Sequence, residues 1–195
     1  MFCPPFTSLA IAREYADEGG FAVGAQNFYP GAVTARTGEI SASMLCEIGA
    51  RFVLIGHSER REFFHETDEL VATKVDEAIK AGLMPILCVG ETLKENEAGK
   101  TNEVLKKQLK SFRDGIVVAY EPVWAIGTGK TATVAQIAET HKFIKSIVGK
   151  DTIVLYGGSA NEKNAAEILA TKGVDGVLVG GASLDPDKFA VVINS

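Results

Sequence analysis

Cysteine is scarce in this 195-residue chain: Cys3, Cys46 and Cys88 are an odd number, far apart, with no C-x-x-C pair. That excludes a disulfide framework, offers no metal-ligand spacing, and suits a reducing, cytoplasmic compartment. No metal or other cofactor is expected. Positive charge is also short, with 20 Lys and Arg against 25 Asp and Glu, a net charge of −5. A general nucleic-acid binder needs clustered cations for phosphates, so that class is disfavoured. No apolar run approaches the ~18 residues of a membrane span. Met1–Phe6 lacks the basic and long apolar regions of a secretory signal. No linker or low-complexity segment divides the chain, so one domain over residues 1–195 is expected.

Short runs rich in Val, Ile and Leu recur at Phe21–Ala25, Phe52–Ile55, Met84–Val89, Ile116–Tyr120, Ile153–Tyr156 and Gly176–Val179. They do not alternate apolar with polar, the pattern of parallel strands buried on both faces. A seventh run, Phe2–Phe6, is interrupted by Pro4 and Pro5. Amphipathic helical stretches separate the runs: Ser8–Glu18, Ser41–Gly49, Asp68–Ala81, Asn102–Phe112, Val134–Val148, Glu162–Ala170 and Pro186–Ile193. Ser41 and Thr67 suit helix N-caps, Gly49 and Gly82 suit stops, and Pro186 suits a first helical position. A strand–helix period near thirty fits the βα units of an eight-unit TIM barrel, which average roughly 31 residues. A doubly wound sheet fits the alternation as well. Seven units are recognisable, in a chain shorter than the barrel's usual length of about 250 residues.

The first chemical signal is Gly56-His57-Ser58-Glu59-Arg60-Arg61, directly beyond an apolar run. Parallel α/β folds place function at the C-terminal ends of their strands. A helix starting at Ser58 would turn its positive end toward His57 and disfavour a charged imidazole. A neutral ring can donate a hydrogen bond to a carbonyl. The bland alternative is a histidine that merely caps the strand.

Glu121 follows four apolar residues, where a carboxylate is costly unless used or paired. The segment after it, Pro122 to Ala132, reads as a lid: a stiff apolar tip between hinges, with the Gly127 N–H able to reach an anion. Its Gly-Thr-Gly-Lys-Thr fails as a nucleotide P-loop, because Trp124 stands where the first glycine belongs. Gly157-Gly158-Ser159 and Gly180-Gly181 end the last two runs. Glycine amides there can approach an oxyanion closely, and late barrel loops commonly hold phosphate.

These strings resemble the triosephosphate isomerase family. The resemblance is carried by Gly24-Ala25-Gln26-Asn27, Thr37 to Ala42, Ile55 to Arg61, Cys88-Val89-Gly90-Glu91, Ala119 to Thr131, Tyr156 to Ser159 and Asp175 to Ser183, and runs from Cys3 to Asn194. It implies cofactor-free interconversion of dihydroxyacetone phosphate and D-glyceraldehyde 3-phosphate. Glu121 matches the family's general base, His57 its neutral electrophile and Glu59 an acid near the substrate. Gly127, Ser159, Gly180 and Gly181 match the phosphate grip.

The family's first strand and helix, whose loop carries a substrate-binding Asn and Lys, have no matching positions. Arg36 is a candidate stand-in for that lysine, and a reduced rate is one expectation. The loop Phe28–Ile40 resembles the family's dimer arm, so a homodimer or higher homo-oligomer is expected. Competing readings are a phosphate-binding barrel without turnover and a fragment that needs another chain. His65 and His141 read as solvated residues in helical contexts, and Lys94–Lys107 as a solvated loop and helix face.

Overall fold

Six of the seven apolar runs become parallel strands in the computed structural model, which describes residues 1–31, 35–126 and 131–195. These residues group into two units, Met1–Leu87 and Cys88–Ser195.

In the first unit a 3-10 turn leads into helix α1 (Leu9–Gly19), which ends at Gly20 in the left-handed conformation (φ 65°). Strand β1 (Gly24–Ala25) follows, then α2 (Ala42–Glu47), β2 (Phe52–Ile55), α3 (Ser58–Phe63), α4 (Asp68–Ala81) and β3 (Met84–Val89). The expected caps are in place. Ser41 Oγ accepts from the Met44 N–H and Thr67 Oγ1 from the Leu70 N–H, both at 3.3 Å, and Gly82 stops α4 at φ 89°. β1 pairs with β2, Gly24 opposite Phe52, and β2 with β3, Phe52 opposite Met84. Val53, Ile55, Val71, Val75, Ile86 and Leu87 are fully buried. α4 packs on β2 and α2. With both strand faces covered, an apolar residue is favoured at every position, which is why the runs do not alternate.

The seventh run, Phe2–Phe6, is not a strand. Phe2 makes one parallel bridge to Val23, with its N–H donating to Ala22 O and its carbonyl accepting from Gly24 N. Pro4 and Pro5 lack the amide donors to extend the ladder.

The second unit contains the last two residues of β3, then α5 (Leu93–Glu97), α6 (Thr101–Gln108), β4 (Val117–Tyr120), α7 (Val134–Val148), β5 (Val154–Tyr156), α8 (Ala165–Leu169), β6 (Gly176–Val177) and α9 (Pro186–Ile193). Capping boxes start α5 (Thr92, Glu95) and α7 (Thr133, Gln136). Asp185 caps α9, with Pro186 in its first turn. β4 pairs with β5, Tyr120 opposite Tyr156, and β5 with β6, Tyr156 opposite Val177.

Two histidine expectations change. His141 is fully buried, because it shares the apolar stripe of α7 with Ile137, Ile144 and Val148 at helical spacing. Its Nδ1–H donates to Gly173 O at 3.1 Å, and its ring lies 6.0 Å from that of Tyr120 and 6.3 Å from that of Tyr156. His65 is exposed as expected, but it sits in the turn between α3 and α4 at φ 54°, outside any helix. The Lys94–Lys107 run forms α5 and α6 and is largely solvated, with Leu105 buried.

Candidate active site

In the first unit the candidate residues are built on the exit of β2. Gly56 turns the chain at φ 73°, a conformation that favours glycine, and α3 begins two residues later. His57 is the N-cap of α3. Its Nδ1 accepts from the Glu59 N–H at 3.3 Å. With that lone pair engaged by an amide, the neutral ring carries its proton on Nε2, where it can be donated. The His57 side chain is partly exposed. Glu59 stands in the first turn of α3, exposed, with Oε2 at 4.0 Å from His57 Nδ1. Arg36 stacks on the Tyr29 ring, 4.6 Å from its centroid.

Arg60 of α3 joins a largely buried charge cluster with Glu66 and Lys74. Lys74 Nζ donates to Asn27 Oδ1 at 2.7 Å and to Glu66 Oε1 at 2.5 Å, and Arg60 Nε donates to the same Glu66 oxygen at 2.5 Å. Burial pushes the Glu66 carboxyl pKa up, but the hydrogen bonds and charges of Lys74 and Arg60 outweigh it and hold the group below its ordinary range. Burial pulls the Lys74 ammonium pKa down, against the attraction of Glu66.

In the second unit Glu121 leaves the end of β4 almost fully buried, 2% exposed. Its N–H donates to Val89 O at 2.8 Å. Glycines crowd it. A β-carbon on Gly90 would sit 1.7 Å from the Glu121 carbonyl oxygen, and one on Gly157 would sit 2.9 Å from its γ-carbon. The two glycines therefore leave the backbone and carboxylate arm of Glu121 a channel no other residue would allow. Pro122 leads into a 3-10 turn, Val123–Ala125. Ser159, half-buried, donates from its hydroxyl to Ala125 O, while Asn164 Nδ2 holds Ser159 O at 2.9 Å. Gly180 and Gly181 are exposed, and a β-carbon on either would meet nothing within 4 Å. Gly127, the remaining member of the expected phosphate grip, lies outside the described residues, as does Lys130.

The second unit thus places Glu121 beside Gly157, and Ser159 beside Ala125. Among the described residues no group of three or more His, Cys, Asp and Glu is placed to hold a metal, and no helix is long and apolar enough to cross a membrane.

The triosephosphate isomerase family model matches residues 1–195, the whole chain. The chain belongs to the triosephosphate isomerase family. A triosephosphate isomerase of Mycoplasma mobile is 51% identical over 198 residues, covering 97% of this chain and 80% of that protein. Those of Klebsiella pneumoniae and Enterobacter cloacae are 48% and 47% identical, each covering 98% of this chain and 81% of the relative.

Two features of this region stand in strings quoted above, but the sequence alone assigns them no such role. Glu91 is fully buried just past β3 and accepts from Trp124 Nε1 at 2.8 Å, Asn96 Nδ2 at 2.9 Å and the Tyr120 hydroxyl at 3.2 Å. It stands after an apolar run as Glu121 does, so the same cost argument points to it. In the sequence Gly157 reads as part of a Gly-Gly turn near a phosphate and Gly90 as part of a resemblance string; that both crowd Glu121 lies in what passes over them.

Proposed function

We propose that this chain interconverts dihydroxyacetone phosphate and D-glyceraldehyde 3-phosphate by proton transfer, with Glu121 as the base. The carboxylate of Glu121 takes a proton from C1 of the ketose. The electron pair of that C–H bond moves into a C1–C2 double bond, and charge builds on the C2 oxygen. His57, protonated on Nε2, donates a hydrogen bond to that oxygen and stabilises the enediolate. The Glu121 carboxyl then returns a proton to C2, the C1 hydroxyl proton is lost and the C2 oxygen is reprotonated, so the reaction is redox-neutral overall. Glu59 stands near this chemistry as an auxiliary acid. Ser159, Gly180, Gly181 and Gly127 hold the phosphate through backbone amide donors.

The observation that carries this reading is a carboxylate only 2% exposed, set at the end of a buried strand in a chain whose whole length matches this family. Its burial excludes water from the base, which suits proton abstraction next to a carbonyl. In this reading the chain is one truncated barrel-type domain, to which the first apolar run contributes the single Phe2–Val23 bridge and no full strand. The exposed Phe63 and Phe64, 66% and 63% accessible, support assembly into a homodimer or larger homo-oligomer. The three free cysteines support a cytoplasmic setting.

The test is a coupled assay in both directions on the purified protein, with its mass in solution determined on the same sample. Turnover of both triose phosphates is the expected result. Binding of a phosphoglycolate-type anion without turnover would replace this reading with a non-catalytic phosphate binder.

A further inference from the structure

We propose that Arg61 is a positioning residue for His57, locking the imidazole into its donating orientation by tying the peptide carbonyl before it to Asp68. The inference rests on the role of His57 given above and adds what holds that ring in place. The Arg61 backbone N–H donates to His57 O at 3.1 Å, while its side-chain Nε turns back and donates to Gly56 O at 2.8 Å. His57 O also accepts from the Arg60 N–H at 2.9 Å, as at any helix start, so what the Arg61 side chain itself adds is the hold on the carbonyl before His57. The guanidinium is anchored in turn, with Nη1 on Asp68 Oδ1 at 2.7 Å. Both partners are mostly shielded, 18% and 19% exposed at the side chain. Shielding keeps the pair from the solvent screening that weakens surface ion pairs.

Gly56 shows why the grip needs this shape. A β-carbon there would lie 3.0 Å from Arg61 Nη2 and 3.1 Å from Val71 Cγ2, so the guanidinium approaches a bare backbone closely. A lysine ammonium has neither the plane nor the fork to reach Gly56 O and Asp68 together. The Glu59 amide on Nδ1 fixes the tautomer, and the Arg61 clasp fixes the peptide plane from which the ring projects.

The experiment compares wild type with Arg61→Lys, Asp68→Asn and Leu9→Ala. Leu9 is buried on α1, outside the loop, and its truncation controls for loosening of the fold. Two readouts are taken: steady-state kinetics, and imidazole 15N resonances of a chain that has only three histidines. Arg61→Lys is expected to lower kcat by ~10- to 100-fold with KM little changed, the cost of a misplaced catalytic group. His57 should pass from one tautomer, protonated on Nε2, to an averaged pair. Asp68→Asn should shift both readouts the same way to a smaller extent, and it decides the matter should the lysine variant fail to fold. Leu9→Ala should leave the tautomer unchanged and lower kcat less than Arg61→Lys. The proposal is overturned by wild-type kcat and tautomer in both the Arg61 and the Asp68 variant, or by equal kcat loss in Leu9→Ala. An inactive wild type would instead count against the isomerase reading, and the 15N comparison would still decide the role of Arg61.

Discussion

The γ-carbon of Glu121 lies 2.9 Å from where a β-carbon on Gly157 would stand, and its Oε1 lies 3.7 Å from the same point. The arm of Glu121 and the turn after β5 occupy space that only a glycine leaves free. Gly157→Ala therefore displaces the carboxylate without forbidding the fold, since Gly157 does not use the left-handed conformation. Steady-state kinetics should show kcat reduced by ~100-fold, with phosphate-ligand binding much less affected. Unchanged kcat would mean that the arm has freedom the packing denies.

Glu91 gathers three donors, two of them from Tyr120 and Trp124. Glu91→Leu strands those donors in the interior and should cost about 2–4 kcal/mol of stability. Glu91→Gln keeps an acceptor and should cost less. Denaturant unfolding followed by Trp124, the chain's one tryptophan, checks both.

Lys74→Met removes the buried cation from Glu66, leaving only Arg60 against its carboxylate, and should destabilise by about 3–5 kcal/mol. The double variant Lys74→Met/Glu66→Leu removes the stranded charge and should recover part of that loss. Additive losses in the two single variants and the double would contradict the coupling.

His141 sets an acid limit. Burial pulls its pKa from an ordinary 6.5 down to about 4, against the hydrogen bond to Gly173. The unfolded chain therefore binds a proton that the folded chain refuses between those values. Stability is fully present above pH 6.5 and is lost as pH falls toward 4. His141→Phe keeps a ring between Tyr120 and Tyr156 and should flatten the stability–pH curve over this window, as urea melts at stepped pH would reveal. An unchanged slope would assign the acid loss to other groups.

Most of the strand–helix order was legible because burial on both strand faces leaves a local mark, an unbroken apolar run such as Met84–Val89. α4, α7 and α9 match their expected bounds; Thr67, Gly82 and Pro186 mark starts and stops in the sequence, and the structure adds Thr133 and Asp185 as caps. Phe2–Phe6 misled because apolar content says nothing about the amide donors its prolines lack. His141 misled because a polar residue at a core position of a helix looks like a surface one until the stripe is followed through it. His57 and Glu121 could be picked out by their place after strands. The supports around them could not, because Gly157, Gly90 and the backward reach of Arg61 act through close approaches between segments.

The most direct test of Glu121 as the proton carrier is isomerisation in heavy water, followed by proton NMR of the triose phosphates. The wild type should place deuterium on carbon in both substrate and product, because the carboxyl exchanges its proton with solvent between abstraction and return. Glu121→Gln should leave the carbon-bound hydrogens unlabelled while still binding a phosphate anion. Carbon labelling by Glu121→Gln at the wild-type rate would contradict the account.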